Sequence, residues 1–413
     1  MRANATLRML VLSAACFSVC LLAASAVLAQ DVGADVGGGA GIFRAKNPET
    51  KTKSKSPATP TKPSNRPATS RPKAPAVEER VEELLEKGNG FRDARKYAEA
   101  ENAYQSILKI KPKDARAAYG LGNVYSDQQK WDDAETAYRN AIQWSPNNAD
   151  AYLALSVVLV QPKPGGDNAK RFADSEMAAR RSVQIDPQNA VGWDRLGVAL
   201  QARGIVNSET EHCYRRAIEL DPQFAVAYAH LARVLNRTNR QAEAVPLYAK
   251  ATELAKDPAT LNLIAESLQA EQLWPSSEPV LKQALSLDGR NPTSLILMAR
   301  LLIVYKRFSE AEPYLKTATE VSPRGYQPYN LLGRVYLAMD RFDDAATTYE
   351  RASEFAAPGE RKQLAGIYGF EGVGDGYMKA KQKANAAKAY QRALELDPGN
   401  GGISQKLATA RAN

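Results

Sequence analysis

One arrangement of residues recurs nine times along this 413-residue chain, and it restricts the possible folds more than any other feature. The second copy consists of Leu121, Gly122, Tyr125, Ala134, Tyr138, Ala141 and Pro146. The eighth copy consists of Leu332, Gly333, Tyr336, Ala345, Tyr349, Ala352 and, one place late, Pro358. A pattern with a period of about 34 residues predicts stacked helical hairpins. Such a stack offers partners a long surface rather than a pocket for chemistry.

Each copy is predicted to contain two helices and to end at a turn. The turns fall at Pro112, Pro146, Pro187, Pro222, Pro258, Gly289, Pro323, Pro358 and Pro398. Proline ends a helix because its ring clashes with the preceding turn and it has no N–H to donate. In the second helix a small residue, a ring and another small residue follow at spacings of four and three, which places them on one face. The recurrent glycine of the first helix costs about 0.5–1 kcal/mol, so we expect it to allow close helix contact.

These residues resemble the tetratricopeptide repeat family, and the resemblance covers residues 81–400. It implies an all-α fold, a right-handed α-solenoid of about nine hairpins in which the first helix of each pair forms the concave wall. A short helix from Ile403 to Ala412 is predicted to cap the last hairpin. We place the solenoid at residues 77–413, with repeats at 81–114, 115–148, 149–189, 190–224, 225–257, 258–291, 292–325, 326–359 and 367–400 and a cap at 401–413.

Two copies depart from the pattern. The third gains seven residues around 161–167, which are either a tolerated surface insertion or a contact loop at the rim. Seven further residues, Glu360 to Gly366, precede the ninth copy. The glycine-rich helix that follows them is predicted to be a bend or a softer joint.

The first 29 residues have the layout of a secretory signal peptide. Arg2 and Arg8 precede an uncharged apolar stretch that closes on small residues before Gln30. An uncleaved signal anchor is the alternative, because the stretch is long enough to span a bilayer. Either reading predicts an exported body, periplasmic or extracellular, or anchored in the inner membrane if the leader stays uncleaved.

Residues 30–76 are predicted to be a disordered, basic tether rich in proline, lysine, serine and threonine. The tether is either a solvated spacer or a weak contact to an anionic membrane or cell-wall surface. Most of the net charge of +9 lies in the leader and this tether, so the helical body is nearly neutral. The composition therefore gives no support for nucleic-acid binding.

The sequence offers no catalytic, cofactor or metal site. His212 and His230 are the two histidines, and Cys213 is the one cysteine beyond the leader. Adjacent helix residues such as His212 and Cys213 point about 100° apart and do not face each other. A zinc site needs about four ligands, and the sequence lacks such a set. Phosphate-binding glycine motifs are also absent from the sequence. We therefore expect a protein that is not an enzyme and has no cofactor.

The family geometry implies a candidate peptide-binding stretch on the first helices of the fifth to eighth copies. Its residues are Arg233, Arg237, Asn262, Arg300, Asn330 and Arg334. Guanidinium groups bind carboxylates through two points, and asparagine pairs with backbone amides, so an extended or acidic peptide is the expected ligand. The alternative is that the arginines pair with Glu266 or face water.

The row of the implied concave wall that contains Arg233, Arg300 and Arg334 begins with Asn89 and Asn123. Some relatives capture a C-terminal carboxylate there with lysine, asparagine and arginine at set positions. Here Leu85, Leu153 and Val157 replace the basic residues, so we do not expect that activity.

The sequence thus predicts an exported, non-catalytic scaffold or adaptor that binds an extended protein segment in its groove. Two alternatives remain at this point. One is a protein that associates with the cell wall or a membrane surface through its basic tether. The other is a non-catalytic subunit of an envelope enzyme complex.

Overall fold

The computed structural model describes residues 43–51 and 77–412. The predicted leader, residues 1–29, and most of the predicted tether lie outside the described residues. Within those two ranges, every regular element is an α-helix and none is a strand. No helix of the described part is long and apolar enough to cross a membrane.

The chain divides into two compact units, one ending at Ala251 and the other running from Thr252 to Asn413. The first unit contains α1 Val77–Asp93, α2 Tyr97–Ile110, α3 Ala115–Asp127, α4 Trp131–Trp144, α5 Ala149–Leu159, α6 Asn168–Ile185, α7 Ala190–Ala202, α8 Ser208–Leu220, α9 Ala225–Arg237 and most of α10 Gln241–Leu254. In this unit α1 packs on α2, α3 on α4, α5 on α6 and α7 on α8, and the second helix of each of these pairs packs on the first helix of the next.

The second unit repeats this arrangement. It contains α11 Pro258–Ala270, α12 Trp274–Leu287, α13 Pro292–Val304, α14 Phe308–Val321, α15 Tyr326–Ala338, α16 Phe342–Phe355, α17 Pro358–Ala365, α18 Phe370–Lys379, α19 Lys383–Leu396 and α20 Gly401–Arg411. Successive helices again form antiparallel pairs, such as α13 with α14 and α15 with α16. The predicted all-α fold of helical hairpins is therefore confirmed.

A short polar residue starts many of the first helices. The side chains of Asp114, Asn148 and Asn189 accept hydrogen bonds from the backbone N–H groups of the first turn. These N-caps satisfy donors that a helix otherwise leaves without a partner. Asp114 is buried, and hydrogen bonds from Arg116 and the Ala117 N–H outweigh desolvation and hold the pKa of its carboxyl below the usual range.

The recurrent glycine of the first helix faces the recurrent tyrosine of the second helix. A Cβ added to Gly122 would lie 2.5 Å from the ring of Tyr138, and one added to Gly333 would lie 2.5 Å from the ring of Tyr349. The same contact recurs in the pairs Gly88–Tyr104, Gly197–Tyr214 and Gly374–Tyr390. The glycine prediction is therefore confirmed, because at these five positions an added Cβ would lie within 2.7 Å of the ring.

The turn inside most hairpins has one residue in the left-handed region. Gly204 has a φ of 77°, and at the equivalent turn position Gln129 has a φ of 58°. In each case the next backbone N–H bonds to the carbonyl five residues earlier, as Lys130 does to Tyr125. This is the hydrogen-bond pattern of a Schellman motif, which ends a helix at a left-handed residue.

The two irregular copies take different forms. Residues 161–167 form a loop, and the ammonium of Lys163 lies 2.9 Å from the carboxylate of Asp132 on α4. The other insertion is the short helix α17, whose first residue is Pro358. Proline suits this position because the first helical N–H has no partner inside the helix.

The predicted capping helix is present as α20. It packs on α19 and buries Ile403, Leu407 and Ala410. The ammonium of Lys406 lies 2.7 Å from both Glu371 and Asp375 on α18. The last hairpin thus has an apolar face that α20 covers and a polar edge that Lys406 neutralises.

Residues 43–51 form no helix or strand, and they lie against the first helices of the first unit. Ala45 is buried there. The sequence predicts that this stretch belongs to a disordered tether. The structure shows instead that these residues are ordered against the first unit. They are ordered because side chains of α1 and α3 bind their backbone.

Candidate functional site

The surface that α1, α3 and α5 present in the first unit makes many polar contacts to a non-helical segment, residues 43–51. We call it the first-helix wall. Its contacting residues are Glu78, Glu82, Asn89, Arg92, Asp93, Asn123, Asp127 and Asp150. These helices are first members of successive hairpins and contact one another directly. The wall is therefore continuous along three copies.

Two asparagines of the wall bind the backbone of the segment. The Nδ2 atom of Asn123 donates to the carbonyl of Lys46 at 2.5 Å. The Nδ2 atom of Asn89 donates to the carbonyl of Pro48 at 3.0 Å. The asparagines occupy equivalent positions in neighbouring copies, so they contact carbonyls two residues apart. An extended chain presents its carbonyls alternately, which makes this spacing suitable for a peptide without helical structure.

The tyrosines of the second helices orient these asparagines. The hydroxyl of Tyr138 donates to Oδ1 of Asn123 at 2.9 Å, and the hydroxyl of Tyr104 donates to Oδ1 of Asn89 at 2.8 Å. Because each amide oxygen is already occupied, each NH2 group is directed towards the segment. Burial raises the pKa values of both tyrosines, which keeps the hydroxyl protons in place.

Arg92 joins the wall to the segment at its centre. Its Nε and Nη2 atoms donate to the two carboxylate oxygens of Asp127 at 2.8 Å and 3.0 Å. Its Nη1 atom donates to the carbonyl of Ala45 at 2.7 Å and to Oδ1 of Asn47 at 2.9 Å. Arg92 is only 1% exposed, and although burial lowers the pKa of its guanidinium, Asp127 raises it more. The cation therefore stays charged and fixed in orientation.

Acidic residues of the wall face basic residues of the segment. The guanidinium of Arg44 lies 3.4 Å from Asp93 and 3.2 Å from Asp127, and its Nη2 also donates to the carbonyl of Arg92 at 2.9 Å. The ammonium of Lys46 lies 4.0 Å from Asp150. The first-helix wall therefore favours a cationic ligand.

The two ends of the segment reach different helices. The ring of Phe43 packs against an apolar cluster that includes Tyr119 and Leu155, and the guanidinium carbon of Arg195 on α7 lies 5.6 Å from the ring centroid. At the other end, the backbone N–H of Lys51 donates to Glu82 of α1 at 2.8 Å. The segment thus runs from the third and fourth copies back to the first.

The six candidates from the sequence are divided between the two units. Arg233 and Arg237 lie on α9 of the first unit, where Arg233 is buried and Arg237 is exposed. The other four lie in the second unit, on α11, α13 and α15.

The four candidates of the second unit have different surroundings. Asn262 is buried, and its side chain bonds to Asn291 at 3.1 Å and to the Ser294 hydroxyl at 2.7 Å. Arg300 and Asn330 are half-buried. The guanidinium of Arg334 lies 5.3 Å above the ring of Tyr368. Asn262 already has polar partners within its own unit, whereas Arg334 presents a stacked cation.

Asn89 and Asn123 were predicted to lie on the concave wall but were not among the six candidates. Arg92, Asp93 and Asp127 were not predicted as site residues. A signal was present, because Asp93 and Asp127 recur at the same position of the first and second copies. Their partners lie in a stretch without periodicity, so the pairing was not visible in the pattern.

The residues considered for chemistry are buried or dispersed. Cys213 is a buried free thiol, and burial raises its pKa to about 12. Such a thiol is a poor nucleophile at neutral pH. The neighbouring ring of His212 instead packs edge-on against Trp193. In the part of the chain that the structure describes, no group of three or more His, Cys, Asp or Glu side chains is placed to hold a metal ion.

The other histidine belongs to a buried pair. Nδ1 of His230 lies 2.7 Å from Oδ1 of Asp194, and both side chains are almost fully buried. Desolvation raises the pKa of Asp194, but its interactions with His230 and Arg195 lower it more, so the carboxylate stays ionised. The pair links α7 to α9 and has a structural role in the first unit.

Comparison with known families identifies the repeats. Models described as tetratricopeptide repeat or TPR repeat match residues 85–139, 122–161, 213–245, 296–361 and 368–400. These matches fall on both units. No curated protein matches the chain.

Solved structures with a similar fold include Tom70, MamA and PilF. Yeast Tom70 has a TM-score of 0.55 and 15% identity, over 90% of this chain and 72% of Tom70. MamA from Desulfovibrio magneticus RS-1 has a TM-score of 0.38 and 17% identity, over 43% of this chain and 97% of MamA. Pseudomonas aeruginosa PilF has a TM-score of 0.42 and 15% identity, over 54% of this chain and 99% of PilF. At these identities the likeness concerns the fold alone.

Proposed function

Because this chain belongs to the tetratricopeptide repeat family, whose members act as protein-interaction scaffolds, we propose that it binds an extended segment of a partner protein along its first helices. The observation that carries this proposal is the binding of residues 43–51. Asn89, Arg92 and Asn123 all donate to backbone carbonyls of that stretch. Donors that bind carbonyls give affinity for the backbone of an extended chain, which suits an adaptor.

The proposal includes a non-catalytic role outside the cytoplasm. Its support is the arginine-flanked apolar leader of residues 1–29 and the absence from the sequence of any motif for a cofactor or nucleophile. A pre-formed wall of packed helices pays little ordering entropy on binding, so the scaffold itself stays fixed while the partner segment becomes ordered.

The second unit supplies the candidate site for an acidic segment. Arg300 on α13 and Arg334 on α15 lie on first helices that contact one another within that unit. Guanidinium groups on neighbouring first helices suit the carboxylates of an extended acidic peptide. Asn262 and Asn330 lie on the same set of helices.

The test measures the affinity of the full chain for a fluorescein-labelled twelve-residue peptide of alternating Asp and Gly. We expect the double change Arg300→Ala with Arg334→Ala to weaken binding by about tenfold or more, because two charge-assisted contacts are lost. The matched control is Arg290→Ala with Arg324→Ala, two exposed arginines of inter-hairpin turns, which we expect to change affinity less than about twofold.

Equal losses in the two double variants would show a general effect of charge, and unchanged binding in both would contradict the proposed site. Circular dichroism of each variant separates a loss of contact from a loss of helix.

The alternative of surface attachment through a basic tether stays a prediction, because most of the tether lies outside the described residues. Arg44, Lys46 and Lys51 each lie within 4.0 Å of a carboxylate of the first unit. The side chains of Lys46 and Lys51 stay largely exposed in these pairs, so the contacts do not decide between the two roles.

A further inference from the structure

Residues 43–51 occupy the first-helix wall in the way that a bound peptide would. Three of their backbone carbonyls, those of Ala45, Lys46 and Pro48, accept hydrogen bonds from wall side chains. Asn47 adds a side-chain contact to Asp93 at 3.0 Å. The stretch forms no regular secondary structure of its own, so these contacts hold its backbone in place.

The side chains of the stretch show what the wall selects. Phe43 packs against the apolar cluster that includes Tyr119, and Arg44 forms ion pairs with two aspartates. Ala45 is only 7% exposed, so a large residue would not fit at this position without displacement. The wall therefore suits a segment with an aromatic residue, then a basic residue, then a small residue.

The charges of the wall and the segment are complementary. The segment carries Arg44, Lys46 and Lys51 against the single acid Glu49. The wall carboxylates that face these cations are Glu78, Asp93, Asp127 and Asp150. An acidic segment would meet repulsion here, so this wall takes the opposite class of ligand from the candidate site of the second unit.

The position of Lys51 favours supply of the segment by the same chain. Its ammonium lies 3.5 Å from Glu78 and its N–H bonds to Glu82, both in the first two turns of α1. Lys51 therefore lies close to the start of α1 at Val77. The entropy cost of closing a loop grows only slowly with its length. A segment tethered in this way has an effective local concentration on the order of millimolar.

We propose that residues 43–51 are an internal ligand of the first-helix wall, which a partner displaces with an extended basic segment of the same aromatic–basic–small order. This inference rests on the proposed function, since it names the ligand class and the regulation of binding along the first helices. The tethered segment competes with every such partner for the first-helix wall. Only a segment with sufficient affinity for the wall therefore displaces it, and weak or acidic segments do not.

The test uses a labelled peptide with the sequence of residues 43–51, titrated into the full chain. The change Phe43→Ala with Arg44→Glu weakens the internal ligand and leaves every residue of the wall intact. We expect this variant to bind the peptide about tenfold or more tightly than the unaltered chain does, because the tethered competitor is removed.

A third variant shows where the peptide binds. Adding Asp93→Lys to the weakened chain reverses an exposed carboxylate that faces Arg44, and we expect it to reduce peptide affinity by about tenfold. A peptide carrying Glu in place of Arg44 should regain affinity for this variant. Glu354→Lys, at an exposed acid of α16, is the matched control and should leave affinity unchanged.

Equal affinity for the unaltered and weakened chains would overturn the proposal, and so would equal binding of a scrambled peptide of the same composition. A concentration-dependent dimer that the change Phe43→Ala with Arg44→Glu abolishes would show that a second copy supplies the segment, which overturns the internal ligand. The acidic peptide, measured on the same samples, separates the two proposals. If it binds while the basic peptide does not, only the present inference fails.

Discussion

At the scale of single residues, the recurrent tyrosine connects packing to binding. Its ring fills the space left by a glycine of the first helix, as Tyr138 does against Gly122. In the first two copies its hydroxyl also reaches the asparagine of the wall, as Tyr138 does with Asn123. One side chain therefore fixes both the distance between two helices and the direction of a binding amide.

The glycine contact gives a prediction at this scale. We expect Gly333→Ala to lower the free energy of unfolding by about 1–3 kcal/mol, because the added Cβ would lie 2.5 Å from the packed ring of Tyr349. Urea unfolding followed by circular dichroism measures the change. The control is Gly359→Ala on α17, where a Cβ meets nothing within 4 Å. Comparable losses in the two variants would contradict the packing argument.

At the scale of helices, the first helix of a hairpin is ended by backbone geometry as much as by side chains. The left-handed residue at the end of a first helix is glycine at Gly204, and in the other hairpins with this turn it is a longer residue. These longer residues are Arg95, Gln129, Asn239, Gln272, Lys306, Asp340 and Lys381. Residues with a Cβ adopt this region at some cost. The turn therefore depends on the Schellman hydrogen bonds around it, and the chain tolerates strain there because both helices are packed.

A matched pair of substitutions tests the cost of this turn. Gly204→Ala should destabilise the first unit by about 1–2 kcal/mol, because the backbone there has a φ of 77°. Gln129→Gly should shift stability in the opposite direction, since it relieves the same strain at a φ of 58°. Thermal and urea unfolding report both changes. A Gly204→Ala variant as stable as the unaltered chain would show that strain at this position is negligible.

At the scale of the whole molecule, each unit is built from contacts between helices that are near in sequence. Apart from the docked segment, each helix packs mainly on its neighbours along the chain. Stability in such an array is a sum of local terms, so the last hairpin depends on the helix that covers it. In the second unit that helix is α20.

Disturbing α20 should therefore loosen the end of the second unit and leave its other helices intact. We expect Leu407→Asp, which puts a carboxylate at a buried position, to accelerate amide hydrogen exchange in α19 by about tenfold or more. Exchange in α13 should stay unchanged. Ser404→Asp, on the exposed side of α20, is the control. Uniform acceleration through the second unit would instead show that its helices unfold together.

The sequence by itself determined the hairpins, the glycine–tyrosine contacts and the capping helix. Each of these depends on residues that lie close together in the chain or recur with its period, so pattern and spacing were sufficient. Leu332, Gly333 and Tyr349 illustrate this, because their spacing places them at one helix contact. The sequence also placed Asn89 and Asn123 in a row of the wall that the structure uses.

Only the tertiary structure decided which part of that wall residues 43–51 contact and through which side chains. Arg44 bonds to Asp127 across 83 residues of sequence, and Arg92 binds Ala45 across 47. A short basic stretch without periodicity has the composition of a spacer. Whether such a stretch stays in solvent depends on the carboxylates and amides that three stacked hairpins bring close to it. The positions of those side chains depend on the tertiary structure, so a local sequence pattern does not show them.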